Sequence, residues 1–157
     1  VNEYQVERLV RGDTRVASEM VAMMSQVFGE DGEPLTEQYL DDLLGRESFW
    51  ALAAVAGTDV VGGITAHTLP MTRAQSCELF IYDLAVRPDF RRRGVATRLV
   101  RELCTAAAEA GIHEVFVPAD NEDAHALAFY HAIGGTASPV TFFTLSGRVH
   151  GCGHGRM

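Results

Sequence analysis

A mixed α/β fold of the α+β kind, with a mostly antiparallel central sheet and helices on both faces, is what this sequence predicts. Three observations carry the prediction. The elements run β, α, α, β, β, β, α, β, α, β, so an antiparallel meander precedes βαβ-type units. Leu79 to Val86 is apolar on both faces apart from Asp83, the pattern of a central strand. A basic turn, Arg91-Arg92-Arg93-Gly94-Val95-Ala96, then leads straight into the clearest amphipathic helix of the chain.

Residues 4–10 read as the first strand, ending at Arg11-Gly12-Asp13. Asp13 or Thr14 is placed to cap a helix to about Phe28, with Val16, Met20, Met24 and Val27 on one face. An acidic loop rich in helix breakers, 29–34, follows, and Thr36 caps a short helix that runs through Leu44 to Gly45. Phe49 to Ala56 and Val60 to Leu69 form a hairpin around Gly57-Thr58-Asp59. Gly62-Gly63 inside the second of these strands signals a bulge or a close backbone approach. After the Leu79–Val86 strand, Val95, Leu99, Leu103, Ala107 and Ala110 recur at helical spacing, and Gly111 closes that helix. His113 to Val117 is a short strand, Glu122 to Ile133 a helix stopped by Gly134-Gly135, and Val140 to Leu145 a last strand.

The chain has 157 residues, 47% hydrophobic and 22% charged, which fits one soluble globular domain with a core of its own. No apolar stretch is long enough to span a membrane. The start, Val1-Asn2-Glu3-Tyr4-Gln5, lacks the layout of a signal peptide, so a cytoplasmic setting is expected. Cys77, Cys104 and Cys152 form no C-x-x-C pair, and Cys104 reads as a free thiol on the apolar side of its helix. The tail from Gly147 carries His150, Cys152 and His154, too few ligands for a metal site, and reads as a mobile segment; no metal is expected.

The net charge of −8 argues against a nucleic-acid partner and favours cations. Yet six arginines fall within 87–101: Arg87, Arg91, Arg92, Arg93, Arg98 and Arg101. An acidic chain with one basic turn suits an anionic cofactor and a cationic substrate. A strand, a basic glycine-containing turn and a helix start bring backbone N–H groups to face a phosphate. The bland alternative is a solvated basic turn. Asp83, the one charge inside the preceding strand, is expensive to bury without a partner. It is either a base acting on a second substrate or a structural carboxylate paired to an arginine or to backbone groups.

Arg91-x-x-Gly94-x-Ala96 resembles the Gln/Arg-x-x-Gly-x-Gly/Ala loop of the GNAT superfamily of N-acetyltransferases, and Ala128-Phe129-Tyr130-His131-x-x-Gly134 resembles their late helix. Tyr82-Asp83-Leu84-Ala85-Val86, with Arg91 to Thr97 and Phe49-Trp50-Ala51-Leu52-Ala53-Ala54, is similar to the aminoglycoside 3-N-acetyltransferases of this fold. The segment after Ile133 departs from that group's pattern.

The resemblance implies the GNAT fold, with two splayed parallel strands, Leu79–Val86 and His113–Val117. It implies acetyl-CoA as co-substrate, its pyrophosphate held by N–H groups from Arg92 to Thr97, that is Arg92, Arg93, Gly94, Val95, Ala96 and Thr97. The side chains of Arg91, Arg92 and Arg93 would supply positive charge, and the backbone of Leu84, Ala85 and Val86 would meet the pantetheine. Asp83 is the implied general base and Tyr130 the implied proton donor to the departing thiolate. Glu78, Asp120, Glu122 and Asp123, with Asp83 and the acidic loop at Glu30, Asp31 and Glu33, fit recognition of a polycation. Each singly also fits solvated surface, and Glu122 and Asp123 a helix N-terminus. His67 and His125 are read as ordinary residues.

The implied activity is acetylation of an aminoglycoside 3-amine (gentamicin-type antibiotic resistance) by direct transfer in a ternary complex. The alternatives are a GNAT enzyme for polyamine or protein amino groups, and a CoA-binding sensor needing neither Asp83 nor Tyr130. Homodimerisation through a late strand or an exposed helix face is compatible with the sequence.

Overall fold

Alternation of large and small apolar residues decides which helix each sheet face receives. In a computed structural model that describes residues 3–147, the strands are β1 (Gln5–Arg8), β2 (Phe49–Ala56), β3 (Asp59–Pro70), β4 (Cys77–Val86) and β5 (Val115–Phe116). The helices are α1 (Thr14–Phe28), α2 (Glu37–Leu44), α3 (Val95–Glu109) and α4 (Ala124–Ala132). The chain divides into two compact units, Val1–Pro118 and Ala119–Met157. The first holds the whole sheet, in the order β1-β2-β3-β4-β5, antiparallel throughout except for the parallel pair β4–β5.

One face of that sheet is lined by small residues, Ala51, Ala53, Gly63 and Ala85, and α1 settles close on it. A Cβ on Gly63 would stand 2.5 Å from Met20 Cγ and Sδ, so only glycine admits the helix at this depth. Met20, Met23 and Met24 fill the gap with flexible thioethers, joined by Leu40 and Leu44 of α2. The opposite face carries Ile64, Leu79 and Ile81 and packs against α3 through Leu99 and Leu103, all at most 2% exposed. A Cβ on Gly62 would meet Val95 Cγ1 of α3 at 2.8 Å. The adjacent glycines thus admit one helix on each face. The register also shifts beside them, opposite Ala54/Val55, so both the bulge and the close approach are present.

Element by element the expectations hold for nine of the ten segments, with adjusted ends. Thr36 Oγ1 accepts from the Tyr39 N–H at 3.2 Å, as a cap should. Asp13 does occupy the cap position of α1, but its carboxylate accepts from the Val10 N–H (2.8 Å) and makes no bond into the helix. The exception is the last strand: 140–145 lies in no strand, and Val140, Phe142, Phe143 and Leu145 are exposed. Its alternating Val-Thr-Phe-Phe-Thr-Leu has strand composition, but a strand needs a neighbour to pair with, and composition cannot supply one. Cys77 and Cys104 are free thiols, and burial pushes the Cys104 thiol up. No described helix is long and apolar enough to cross a membrane. His150, Cys152 and His154 lie outside the described residues.

Candidate active site

Two local features of the first unit converge on the C-terminal half of β4. The first is a bulge. Thr65 pairs with Asp83 and Ala66 with Ile81, so Tyr82 is an extra residue with no partner on β3. A bulge of this kind turns two successive side chains to one face. Tyr82 and Asp83 therefore both share the α1 face with Phe80, while Ile81 and Leu84 face the other way. The break in alternation is what lets an apolar central strand present a carboxylate.

Asp83 is half-buried, and among the described residues no hydrogen bond or ion pair engages its carboxylate. The structural alternative, an aspartate paired to arginine or capping backbone, is not what its surroundings show. Burial pushes the Asp83 carboxyl above its ordinary value, and the negative charge of Glu30 pushes it further the same way. A positive charge on His67 acts in the opposite sense. Glu30 lies in the acidic loop after α1.

Beside Asp83 runs a row of rings across β2, β3, β4 and β5. Phe49 and His67 lie 5.3 Å apart, His67 and Tyr82 5.5 Å, Tyr82 and Phe80 6.0 Å, and Phe80 and Phe116 5.3 Å between centroids. Tyr82, 64% exposed, leaves a ring open to solvent in the middle of the row. His67 was not legible as a site residue from its own surroundings in sequence. The signal was its period-two spacing from Thr65, which shares a face with it and pairs with Asp83.

The second feature is the turn into α3. Gly94 occupies the cap position with φ +77°, and Arg92 also has positive φ, +61°. Left-handed residues at alternate positions roll successive N–H groups into one concavity, a shape suited to anions. No side chain caps α3, and its first backbone bond runs from Arg98 N–H to Gly94 O (3.0 Å). The N–H groups of Val95, Ala96 and Thr97 precede that bond and remain available. Arg93 is held by Glu3 and lies over the Phe90 ring, with its guanidinium carbon 4.7 Å from the centroid. Arg91 and Arg92 are exposed and have no ion pair among the described residues. This concavity fits a pyrophosphate: oriented donors, an uncapped helix end and unpaired cationic side chains.

Between bulge and turn, β4 keeps an open edge. β5 pairs with it only at Leu79–Val115 and Phe80–Phe116, so from Ile81 to Val86 the backbone on that side has no strand partner among the described residues. Leu84, Ala85 and Val86 lie on this free edge. Glu78 shares the Asp83 face but stands roughly 15 Å away along the strand. It lies toward the far end, beside Phe80, and does not converge on Asp83.

In the second unit Asp120 Oδ1 accepts from the Glu122 N–H (2.9 Å) and Asp123 Oδ1 caps α4 by accepting from the Ala126 N–H (3.0 Å). Both carboxylates thus serve local backbone groups, and Glu122 and His125 are exposed. Tyr130, on α4, packs edge-on to Phe129 at 5.1 Å. Burial pushes its hydroxyl above its ordinary value, with a further contribution from Asp123.

The family profile described as "Acetyltransferase (GNAT) family" matches residues 15–134. Among solved structures, the aminoglycoside acetyltransferase meta-AAC0020 from an uncultured soil metagenomic sample, in complex with sisomicin, superposes with a TM-score of 0.85. It is 28% identical, over 92% of this chain and 98% of that one. The aminoglycoside acetyltransferase HMB0005, also from an uncultured soil metagenomic sample, has a TM-score of 0.85 and 31% identity, over 91% of this chain and 98% of that chain. AAC(6')-Iy, in complex with the bisubstrate analogue CoA-S-monomethyl-acetylneamine, shares the fold, with a TM-score of 0.77 and 16% identity over 91% and 97% of the two chains. No curated protein matches the sequence. A bulged central strand, a splayed parallel neighbour, an anion-shaped turn into α3 and a profile match across most of the chain agree, and the chain belongs to the GNAT family of N-acetyltransferases.

Proposed function

We propose that this enzyme is an acetyl-CoA-dependent aminoglycoside 3-N-acetyltransferase that transfers the acetyl group directly within a ternary complex. The observation that carries the reading is Asp83: a half-buried carboxylate with no hydrogen bond or ion pair among the described residues, at a bulge, beside an open aromatic row. Support comes from the likeness, at 28–31% identity, to two aminoglycoside acetyltransferases. The choice of the 3-amine rests on Tyr82-Asp83-Leu84-Ala85-Val86.

Acetyl transfer consumes a neutral amine, because an ammonium has no lone pair with which to attack a thioester. As the new C–N bond forms and the C–S bond breaks, the nitrogen must lose a proton and the sulfur must gain one. Asp83 takes the first. Tyr130 gives the second, since a hydroxyl pushed above its ordinary value stays protonated at pH 7. The turn from Arg91 to Thr97 holds the pyrophosphate of acetyl-CoA, and the free edge at Leu84, Ala85 and Val86 offers amides and carbonyls to the pantetheine arm. A polycationic acceptor is drawn by Asp83 and Glu30, and its sugar rings find flat partners in Tyr82 and Phe116.

The test is thiol release from acetyl-CoA with gentamicin, spermidine and a lysine peptide in parallel, with NMR of the product. Release with gentamicin and acetylation at the 3-amine is the expected result. Release only with spermidine or the peptide overturns the acceptor, and acetylation at another amine overturns the position. Tyr130→Phe is expected to lower kcat about 100-fold with KM for acetyl-CoA unchanged, read by steady-state kinetics; unchanged kcat removes Tyr130 as the proton donor.

A further inference from the structure

Thr65 is 6% exposed, and its Oγ1 is buried without a hydrogen-bond partner among the described residues. A hydroxyl in that state is destabilising, and valine, the same shape without the oxygen, would avoid the cost. Its setting on the sheet is otherwise apolar: Ala51 pairs with it on β2, and Gly63 under Met20 precedes it on the same face of β3. Two polar side chains share this face next to it. Asp83 is its direct partner on β4, and His67 is two residues along β3. Cross-strand partners hold their Cβ atoms about 5 Å apart, within reach of one hydrogen bond or one bridging water.

We propose that Thr65 is the positioning residue of Asp83: its hydroxyl donates, directly or through one water, to the carboxylate oxygen that does not meet the amine. This rests on the reading of Asp83 as the base. One oxygen of the carboxylate takes the proton, and the other is tethered so that the receiving lone pair points at the acceptor. The charges acting on Asp83 are Glu30, in the loop after α1, and His67 on β3. Around Thr65 on this face stand Ala51, its partner on β2, and Gly63, with Met20 and Met24 of α1 over that glycine. Thr65 is thus a buried neutral donor on this face directly opposite the carboxylate, whereas Tyr82 is exposed. A hydrogen bond to a charged carboxylate favours that charged form, so losing the hydroxyl moves the carboxyl further up.

Thr65→Val, Thr65→Ser and Thr65→Ala are compared with the wild type by pH profiles of kcat/KM for the acceptor, KM for acetyl-CoA and Tm. Thr65→Val is expected to lower kcat about tenfold and to move the acid limb to higher pH, while KM for acetyl-CoA is unchanged. Thr65→Ser restores both kcat and the limb. The shifted acid limb, and its return in Thr65→Ser, separate a positioning hydroxyl from a packing residue. A wild-type limb in Thr65→Val overturns the proposal, as does an equal loss in Thr65→Ser. If Thr65→Val misfolds, Ser against Ala makes the same comparison of hydroxyl with none. Asp83→Asn is run alongside: retained activity there defeats the reading of Asp83 and this proposal together, whereas an inactive Asp83→Asn with an unaltered Thr65→Val defeats this proposal alone.

Discussion

Asp83→Asn is expected to lower kcat for aminoglycoside acetylation by about 10²- to 10⁴-fold, with KM for acetyl-CoA unchanged. The amide keeps the shape of the side chain, but its oxygen is far too weakly basic to take the proton. The substitution leaves the turn at Arg91 to Thr97 and the free edge of β4 as they are, so cofactor binding has no reason to change. Stability should move the other way. The folded-state carboxyl of Asp83 is raised by burial and by Glu30, so between the unfolded and folded pKa values the folded state binds the extra proton. Stability therefore falls as pH rises through that window, and above it the penalty is fully present. Asp83→Asn removes that penalty. Its Tm should exceed the wild type's at pH 7, and the gap should close as pH drops below the ordinary value of 3.8. Kinetics at pH 7 and thermal melts from pH 7 downward check both halves. A variant that is less stable at pH 7 and fully active contradicts the placement of Asp83 as a half-buried base.

What the sequence made legible follows how local each signal is. The helix α3 and the turn before it were readable because period 3.6, a glycine and three arginines all lie within one stretch. The adjacent glycines of β3 announced a close approach, and the two helices packing on opposite faces at Gly62 and Gly63 explain why both are needed. The bulge at Tyr82 was half-visible. The alternation Phe80, Tyr82 breaks at Asp83, but only the pairing with β3 shows that two side chains in succession face α1. Thr65 and His67 enter the site through that same pairing, so no property of either residue taken alone could reveal them. Asp120 and Asp123 each bond to a backbone N–H two or three residues on, and for Asp123 this is the helix-N-terminus alternative that the sequence offered. The segment 140–145 failed as a strand because pairing is non-local, and composition reports only what could pair.

Gly94→Val tests the other half of the site, and its expected effect is a KM for acetyl-CoA raised by about 10- to 100-fold. Nothing lies within 4 Å of where a Cβ at Gly94 would stand. A steric explanation is therefore closed, and the cost is conformational. At φ +77° an L-residue is disfavoured by about 1–2 kcal/mol, more for a β-branched one. The chain relieves that strain by rotating the peptide out of the left-handed well, which turns the neighbouring N–H groups away from a common focus. Every 1.4 kcal/mol so lost is about a tenfold loss in affinity. The helix itself should stay in place, because Val95 and Leu99 are 2% and 0% exposed and anchor the start of α3 against the sheet. Thus kcat at saturating acetyl-CoA should change far less than KM, and titration of the protein with CoA should show the same weakening without turnover. Gly94→Asn is the matched control, since asparagine tolerates the left-handed region, and it should keep most of the affinity. If valine binds CoA as tightly as glycine does, the N–H concavity is not where the pyrophosphate sits, and the exposed guanidinium groups of Arg91 and Arg92 must carry the binding instead.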